Sequence, residues 1–477
     1  MTEKNNTEFE SKKYKNDSES ENLKKKTTTE QPVENKMGTM KISKLILNIS
    51  IPIMISMLVQ ALYNIVDSIF VARLSINALT AVSLAFPIQN LMIAVGIGVG
   101  VGVNACLSMA LGGKKFVRVN KIAMQGVFLG AVGCLIFFIF GLFGTKYFMS
   151  FQTSNPEIIR YGSSYMKVCT MFCFGVFMQV LFERLLQSTG KSFYSMFSQG
   201  IGAIINIILD PMFIFGFGII PRMEVAGAAV ATVIGQIVAA FIALYFNLRK
   251  NKEIKFDIKN IKPDFNIIFK ILSIGVPSML MVSIFSITLF SLNYILSTFT
   301  LTAVALLGVY FKIQSIIFMP IFGLNNGLVP IVAYNYGAKN KERIRQAIKT
   351  ATIYAVSIMM FGLFIFQTMP VKLLFLFNAS EEMIKIGIPA FRTISLSFVF
   401  AGFCVISMGV FQALGKGIYS LISAILRQLI FLVPVAYILS LFRNLNIVWL
   451  AFPIAEIATL IPAINLLKRK FKKLENL

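Results

Sequence analysis

The chain has 477 residues, 56% of them hydrophobic and 14% charged, with a mean hydropathy of +0.76. An average soluble domain carries nearly twice that charged share, so this much apolar surface requires a bilayer. The net charge of +24 would suggest nucleic acid in a soluble protein; here the basic residues lie mainly in short loops and tails, where they set membrane orientation, and nucleic-acid binding is set aside.

The inventory excludes more. The sequence has no His, which removes Ser-His-Asp, Cys-His and His-ligated metal chemistry. Its five Cys (Cys106, Cys134, Cys169, Cys173, Cys404) are dispersed in apolar runs without metal-site spacing and read as buried small hydrophobes. No convincing nucleophile–base pair supports an intramembrane enzyme. Neither enzymatic activity nor a cofactor is expected.

Residues 1–41, rich in Lys, Glu, Asn, Ser and Thr, are expected to form a disordered cytoplasmic tail. No apolar h-region with a small-residue cleavage site follows the start, so no secretory signal is expected. From Ile42 onward, twelve apolar runs long enough to span a bilayer recur, at roughly 44–71, 79–111, 121–143, 160–187, 193–216, 226–247, 267–295, 302–335, 346–368, 386–413, 419–441 and 447–467. The fold class is therefore an all-α polytopic membrane protein. One set of loops holds clusters such as Lys114, Lys115, Arg118 and Lys121, or Lys339, Lys341, Arg343 and Arg345, and a basic tail, 468–477, follows the last span. The opposite loops hold one or two cations each, such as Arg73 and Lys372, which places both termini in the cytoplasm.

An internal repeat organises the spans. A shift of 225 residues pairs Pro52 with Pro277, Gln89 with Gln314, Gly112 with Gly337, Lys114 with Lys339, and Arg118 with Arg343. It also pairs Gln187 with Gln412, then Gly190 and Lys191 with Gly415 and Lys416. Two six-helix lobes follow: an N-lobe over 42–247 and a C-lobe over 267–467, joined by a basic cytoplasmic linker at 248–266. An even number of spans per half gives both halves one topology, related by a pseudo-two-fold along the membrane normal.

The halves differ in their acids. Gln60, Tyr63, Asn64 and Asp67 form one stripe on the first span, and their repeat mates are Phe285, Thr288, Leu289 and Leu292. In the fifth span, residues 206–211 read NIILDP, which sets Asp210 inside an otherwise apolar run. Its repeat mate is Val435. A carboxylate at membrane depth is unfavourable and usually functional. Asn206, four residues earlier, shares its helical face, and Pro211 frees the carbonyl of Ile207, inviting a local break. Depth along the spans brings Asp67, Asn206, Asp210 and Thr232 together in the outer half of the N-lobe. Two such carboxylates share a proton, or a cation such as Na⁺ holds both ionised through oxygen ligands at Asp67 and Asp210. The competing reading of Asp210 is structural, bonded to a neighbouring helix. Glu183 and Arg184, toward the inner end of the fourth span, read first as snorkelling or gate-capping residues. Glu456 is expected to pair with Arg427 or Arg392.

Twelve spans in two repeats, with PIMISMLVQALYNIVDSIF in the first and NIILDPMFIFG followed by VAGAAVATVIGQ in the fifth and sixth, resemble the multidrug and toxic compound extrusion (MATE) family over about residues 42–470. The likeness is greatest to its prokaryotic MepA-type exporters. It implies a V-shaped, multi-pass transporter of the bacterial plasma membrane, monomeric in the lipid bilayer. Such a transporter swaps access by moving two lobes, exports bulky, often cationic drugs against H⁺ or Na⁺, and confers antibiotic resistance. The resemblance puts the cation or proton site on Asp67, Asn206, Asp210 and Thr232, and the substrate cavity along Gln60 and Tyr63, with Asn64 on the same stripe. Glu183 stands where many prokaryotic relatives have Asn and is a candidate second acid. A lipid-linked glycan flippase of the same superfamily is the alternative, favoured by Lys312, Arg392 and Arg427 and opposed by the N-lobe acid pair.

Overall fold

A computed structural model describes residues 35–218, 220–257, 261–377 and 379–475, with side chains as far as residue 469. The first lobe follows a short helix α1 (Lys36–Thr39) and runs through α2 (Ile42–Ala72), α3 (Ile76–Gly112), α4 (Phe116–Phe143), α5 (Thr145–Gln152), α6 (Pro156–Met171), α7 (Phe174–Ser188), α8 (Ser192–Phe215) and α9 (Glu224–Lys250). The second runs through α10 (Phe265–Ser297), α11 (Leu301–Gly337), α12 (Lys341–Thr368), α13 (Pro370–Phe375), α14 (Glu381–Ser395), α15 (Phe398–Ala413) and α16 (Gly417–Ile425). A π-helical turn (Leu426–Leu432) then leads to α17 (Val433–Ser440), α18 (Leu445–Val448) and α19 (Ala451–Glu475). Among the described residues ten helices are long and apolar enough to cross a membrane, and two bent pairs bring the total to as many as twelve. The protein is an all-α polytopic membrane protein.

Helix starts follow local chemistry. The Ser75 hydroxyl caps α3 at the Ala78 N–H, and Asn155 with Pro156 opens α6. The fourth and tenth spans, expected as single runs, bend by 46° and 49° at α6–α7 and α14–α15. The first break falls at Phe172 and Cys173, just before Gly175. Pro211 behaves in the opposite way from expectation. Helix α8 continues through it to Phe215, because in lipid each remaining backbone bond is worth keeping.

The repeat is written into backbone and packing. Lys114 and Lys339 take φ of 55° and 58°, and Gly190 and Gly415 take 82° and 73°. Thr300 caps α11 at Ala303 as Ser75 caps α3 at Ala78. The lobes then touch reciprocally. A Cβ on Gly98 would strike Met279 and one on Gly323 would strike Met54; one on Gly112 would strike the Tyr334 carbonyl and one on Gly337 the Met109 carbonyl. In each pair the partners exchange under the same shift of 225 residues (323 less 98, and 279 less 54), which is the signature of a two-fold contact. These contacts join α2 and α3 to α11 and α10 near the basic loops. A continuous apolar core runs through both lobes there, whereas Val71, Ala81, Tyr165, Ile214 and Ala228 form a separate cluster within the first lobe.

The tail expectation reaches too far into the chain at one end. Residues 1–34 lie outside the described residues, but 35–41 are ordered because Met37 supplies an apolar anchor, fully buried, and Asn35 caps it. Asn35 Nδ2 donates to the Thr189 carbonyl (3.1 Å) and to Glu253 (3.0 Å). From the other lobe, Arg343 donates to the carbonyls of Met37 (3.1 Å) and Met40 (2.7 Å), and Asn335 Nδ2 donates to Met37 (3.1 Å). The segment therefore straps the lobes together at the basic-loop end. Hydrogen bonds from a charged donor are worth about 1.5–3 kcal/mol each. Arg343→Gln is expected to free the strap, read as faster proteolytic cleavage before residue 42; unchanged cleavage would contradict the strap.

Candidate functional site: a buried acid cluster in the first lobe

Asp210 is fully buried on α8, Asn206 lies one turn before it, and Thr232 faces them from α9. Asn206 Nδ2 donates to Asp210 Oδ1 at 3.2 Å and to Thr232 Oγ1 at 3.3 Å. Both amide hydrogens are thereby used, which fixes the side chain between two helices. Asp67, also buried, enters from α2, close enough to Asp210 for their charges to interact. Asn206, Asp210 and Thr232 are thus in direct contact, with Asp67 beside them.

The accounting of donors decides what this cluster can do. Asp67 Oδ1, Asn206 Oδ1 and Asp210 Oδ2 are buried acceptors with no protein donor. Buried polar groups are ordinarily satisfied, and a bare buried carboxylate is strongly disfavoured. A proton on the carboxyl pair answers for the two Asp oxygens at most, whereas a hard monovalent cation can be bound by all three oxygens. A resident transition metal does not fit: among the described residues no three His, Cys, Asp or Glu gather at one point.

The stripe on α2 divides. Gln60 Oε1 accepts from Gln199 Nε2 on α8 at 3.3 Å, and Tyr63 bonds Gln60 within reach of the charges of Asp67, Glu183 and Asp210. Asn64 instead turns to an exposed position on α2. Gln199 was not singled out in the sequence, although it lies seven residues before Asn206, two turns along the same face. Gln89 donates to the Tyr165 hydroxyl at 3.1 Å, and Tyr165 stands within charge range of Asp67. The polar chain from Gln199 through Gln60 and Tyr63 to Asp67 is a wall the sequence showed only in part.

Glu183 does not snorkel. It is buried on α7 and accepts from Gln179 at 3.1 Å, while Arg184 donates to Gln187, which donates on to Ser195. In the second lobe the expected acid pairing goes to Arg427, at 3.4 Å from Glu456, and Arg392 lends Gln367 only its carbonyl. At the positions equivalent to the acid stripe, Thr288 bonds Gln428 at 3.2 Å and no carboxylate appears.

Two helical lobes joined near one membrane face, one holding a buried acid cluster and the other none, define a secondary transporter rather than a channel or an enzyme. The MatE family model matches residues 52–212 and again 277–438, once in each lobe. The chain belongs to the multidrug and toxic compound extrusion (MATE) family, whose members are transporters. It is 29% identical over 411 residues to the multidrug export protein MepA of Staphylococcus haemolyticus, covering 86% of this chain and 89% of that one. MepA of Staphylococcus saprophyticus is 27% identical over 405 residues, 84% and 88% of the two chains. Among solved structures, an outward-facing multidrug resistance MATE transporter of the MOP superfamily matches with a TM-score of 0.86 and 26% identity, over 93% of this chain and 99% of that one. A MOP superfamily transporter from Pyrococcus furiosus, described as having a binding pocket of reverse polarity that suggests a different function, matches with a TM-score of 0.86 at 27% identity, over 94% and 100%.

Proposed function

We propose that this protein is an antiporter of the bacterial plasma membrane that exports bulky, often cationic compounds by alternating access, in exchange for protons taken up at the cluster of Asp67, Asn206, Asp210 and Thr232. The observation that carries this is the set of three buried oxygens without a protein donor, on Asp67, Asn206 and Asp210. The positive-inside bias sets the basic loops and both termini in the cytoplasm, so the lobes meet at the cytoplasmic face and the cleft opens outward. Gln60 and Tyr63 line the drug path beside the acids, with Asn64 at its exposed edge. Glu183, buried near the same path, is the next acid that such a cavity could use. The protein acts as a monomer in the bilayer.

Na⁺ is the second reading, favoured because every free ligand at the site is oxygen. The flippase alternative loses ground. Arg427 is neutralised by Glu456 and Lys312 sits over the Phe377 ring, so these cations do not gather to hold a pyrophosphate.

Purified protein in vesicles, loaded with an ethidium-like cation, separates the readings. A pH gradient without Na⁺ is expected to drive accumulation. Accumulation only with an imposed Na⁺ gradient would replace the proton, and none with either would contradict antiport.

A further inference from the structure

Two cysteine sulfurs meet inside the first lobe, at the place where the fourth span breaks. Cys173 lies between α6 and α7, where the span bends by 46°. Cys134 lies on α4, and the Cys173 thiol donates to its sulfur at 3.1 Å and to its carbonyl at 3.3 Å. All five cysteines are free thiols, and among the described residues no other two of their sulfurs touch. Helix α4 also grips both halves of the bent span. A Cβ on Gly141 would strike Thr170 of α6, and one on Gly133 would strike Phe177 of α7. The two thiols stand between these contacts, against the break itself.

The repeat shows that packing alone does not call for them. A shift of 225 residues carries Cys134 to Met359 and Cys173 to Phe398, beside the 49° break between α14 and α15. Both mates are fully buried, so the second lobe fills the same joint without a thiol. In the first lobe Cys173 is fully buried and Cys134 half-buried. Around Cys134, the side chains of Val132, Leu135, Ile136 and Ile139 are exposed on a membrane-spanning helix, a surface that acyl chains cover. Cys134 lies nine residues before the end of α4 (143 less 134), about 14 Å inside at 1.5 Å per residue. Reagents dissolved in the bilayer reach that depth, and charged aqueous thiols do not.

We propose that Cys134 and Cys173 form a peroxide-reactive dithiol, which a lipid-soluble organic hydroperoxide converts to a disulfide. The Cys134 sulfur attacks a peroxide oxygen and the O–O bond breaks. The Cys134 thiol proton passes to the departing alkoxide, leaving a sulfenic acid on Cys134 and an alcohol. The Cys173 sulfur then displaces hydroxyl from that sulfenic acid. The Cys173 thiol proton leaves with the hydroxyl as water, and the S–S bond forms. Across both steps the two thiols give up two electrons, and the peroxide takes them. The half-buried Cys134 is the attacking group, and Cys173 is the resolving one because it already lies against it. Starting from 3.1 Å, the sulfurs need to close by only about 1 Å to reach a bond of about 2.05 Å. The link ties α4 to the break and fixes the angle between α6, which carries Tyr165, and α7, which carries Glu183. Transport is thereby blocked, a consequence that rests on the alternating-access reading.

The test exposes the full-length protein in vesicles to cumene hydroperoxide. Digestion without reductant, followed by mass spectrometry, should yield a peptide joined through Cys134 and Cys173 and lighter by two hydrogens. Uncharged dithiothreitol should reopen the bond in intact vesicles, whereas a charged phosphine should need detergent first. In Cys173→Ala the sulfenic acid has no partner, so dimedone should label Cys134; in Cys134→Ala, Cys173 should stay unlabelled. Oxidised wild type should lose its gradient-driven uptake, and Cys134→Ala given the same treatment should keep it. Absence of the joined peptide from wild type, or labelling of Cys173 in Cys134→Ala as strong as that of Cys134, would overturn the site. A joined peptide with unchanged uptake would uphold the dithiol and overturn the clamp on the bend. Wild type that carries nothing before oxidation, yet yields the joined peptide after it, would uphold the dithiol and count against antiport instead.

Discussion

Asp210→Asn is expected to abolish gradient-driven efflux while the protein still inserts and folds. Asn has the shape of Asp, and its carbonyl oxygen can still accept from Asn206 as Asp210 Oδ1 does at 3.2 Å. The bond between α8 and α9 through Thr232 is untouched. What disappears is the capacity to take up and release a proton, or to hold a cation, at a fully buried point. The same holds for Asp67→Asn, where the buried Oδ1 without a donor is the atom that would receive the proton. Transport in vesicles under a pH gradient should fall to the level of empty vesicles for either variant. Drug binding in detergent should persist. If both single variants transport at the wild-type rate, the coupling site lies elsewhere, with Glu183 the first place to look.

Gly112→Val is expected to break the same activity by an unrelated route. A Cβ at Gly112 would fall on the Tyr334 carbonyl, and backbone cannot step aside as a flexible side chain can. Overpacking a close contact costs about 1–3 kcal/mol, which at roughly 1.4 kcal/mol per tenfold is expected to displace the balance between closed and open states of the basic-loop end by roughly 5- to 150-fold. Gly337→Val, against the Met109 carbonyl, should do the same because the contact is reciprocal. Spin-label distances across the basic-loop end should lengthen in both variants, with ion binding at the acid cluster retained. A variant that keeps the wild-type distance would show that the lobes do not part along this seam.

Which parts of this structure could be read in the chain depends on the range of the interaction. Asp67 and Asp210 stood out because a carboxylate in an apolar run is conspicuous at any range. Asn206 followed from its four-residue spacing, and Thr232 from span depth. The repeat was legible because it puts equal residues at equal distances, and the paired φ values at Lys114 and Lys339 are its local imprint. The bend at Phe172 was not read from the chain, although Gly175 stands three residues on. Pro211 misled for the converse reason: its neighbours hold α8 straight enough to continue. The strap at Met37 was lost in a polar, charged tail, where one buried side chain leaves no periodic trace. Gln199 was within reach, on the face that Asn206 and Asp210 define, but a glutamine in a span draws less notice than an acid.

Asp67 and Asp210 both lie in the first lobe, whereas the buried Glu456 of the second is paired with Arg427, and from this we propose how a proton displaces a drug without touching it. A charged Asp67 and Asp210 pair needs water or a cation and holds the cavity beside α2 open. Protonation removes that need, so α2 can repack against α8 and α9 and narrow the space that Gln60 and Tyr63 border. The second lobe, with Thr288 and Gln428 where acids would be, acts as the passive wall. Drug affinity measured against pH in detergent, for wild type and for Asp210→Asn, tests this directly. Wild type should bind progressively more weakly as pH falls and the pair takes up its proton, and Asp210→Asn should lose most of that dependence. Equal pH dependence in the two proteins would contradict the account.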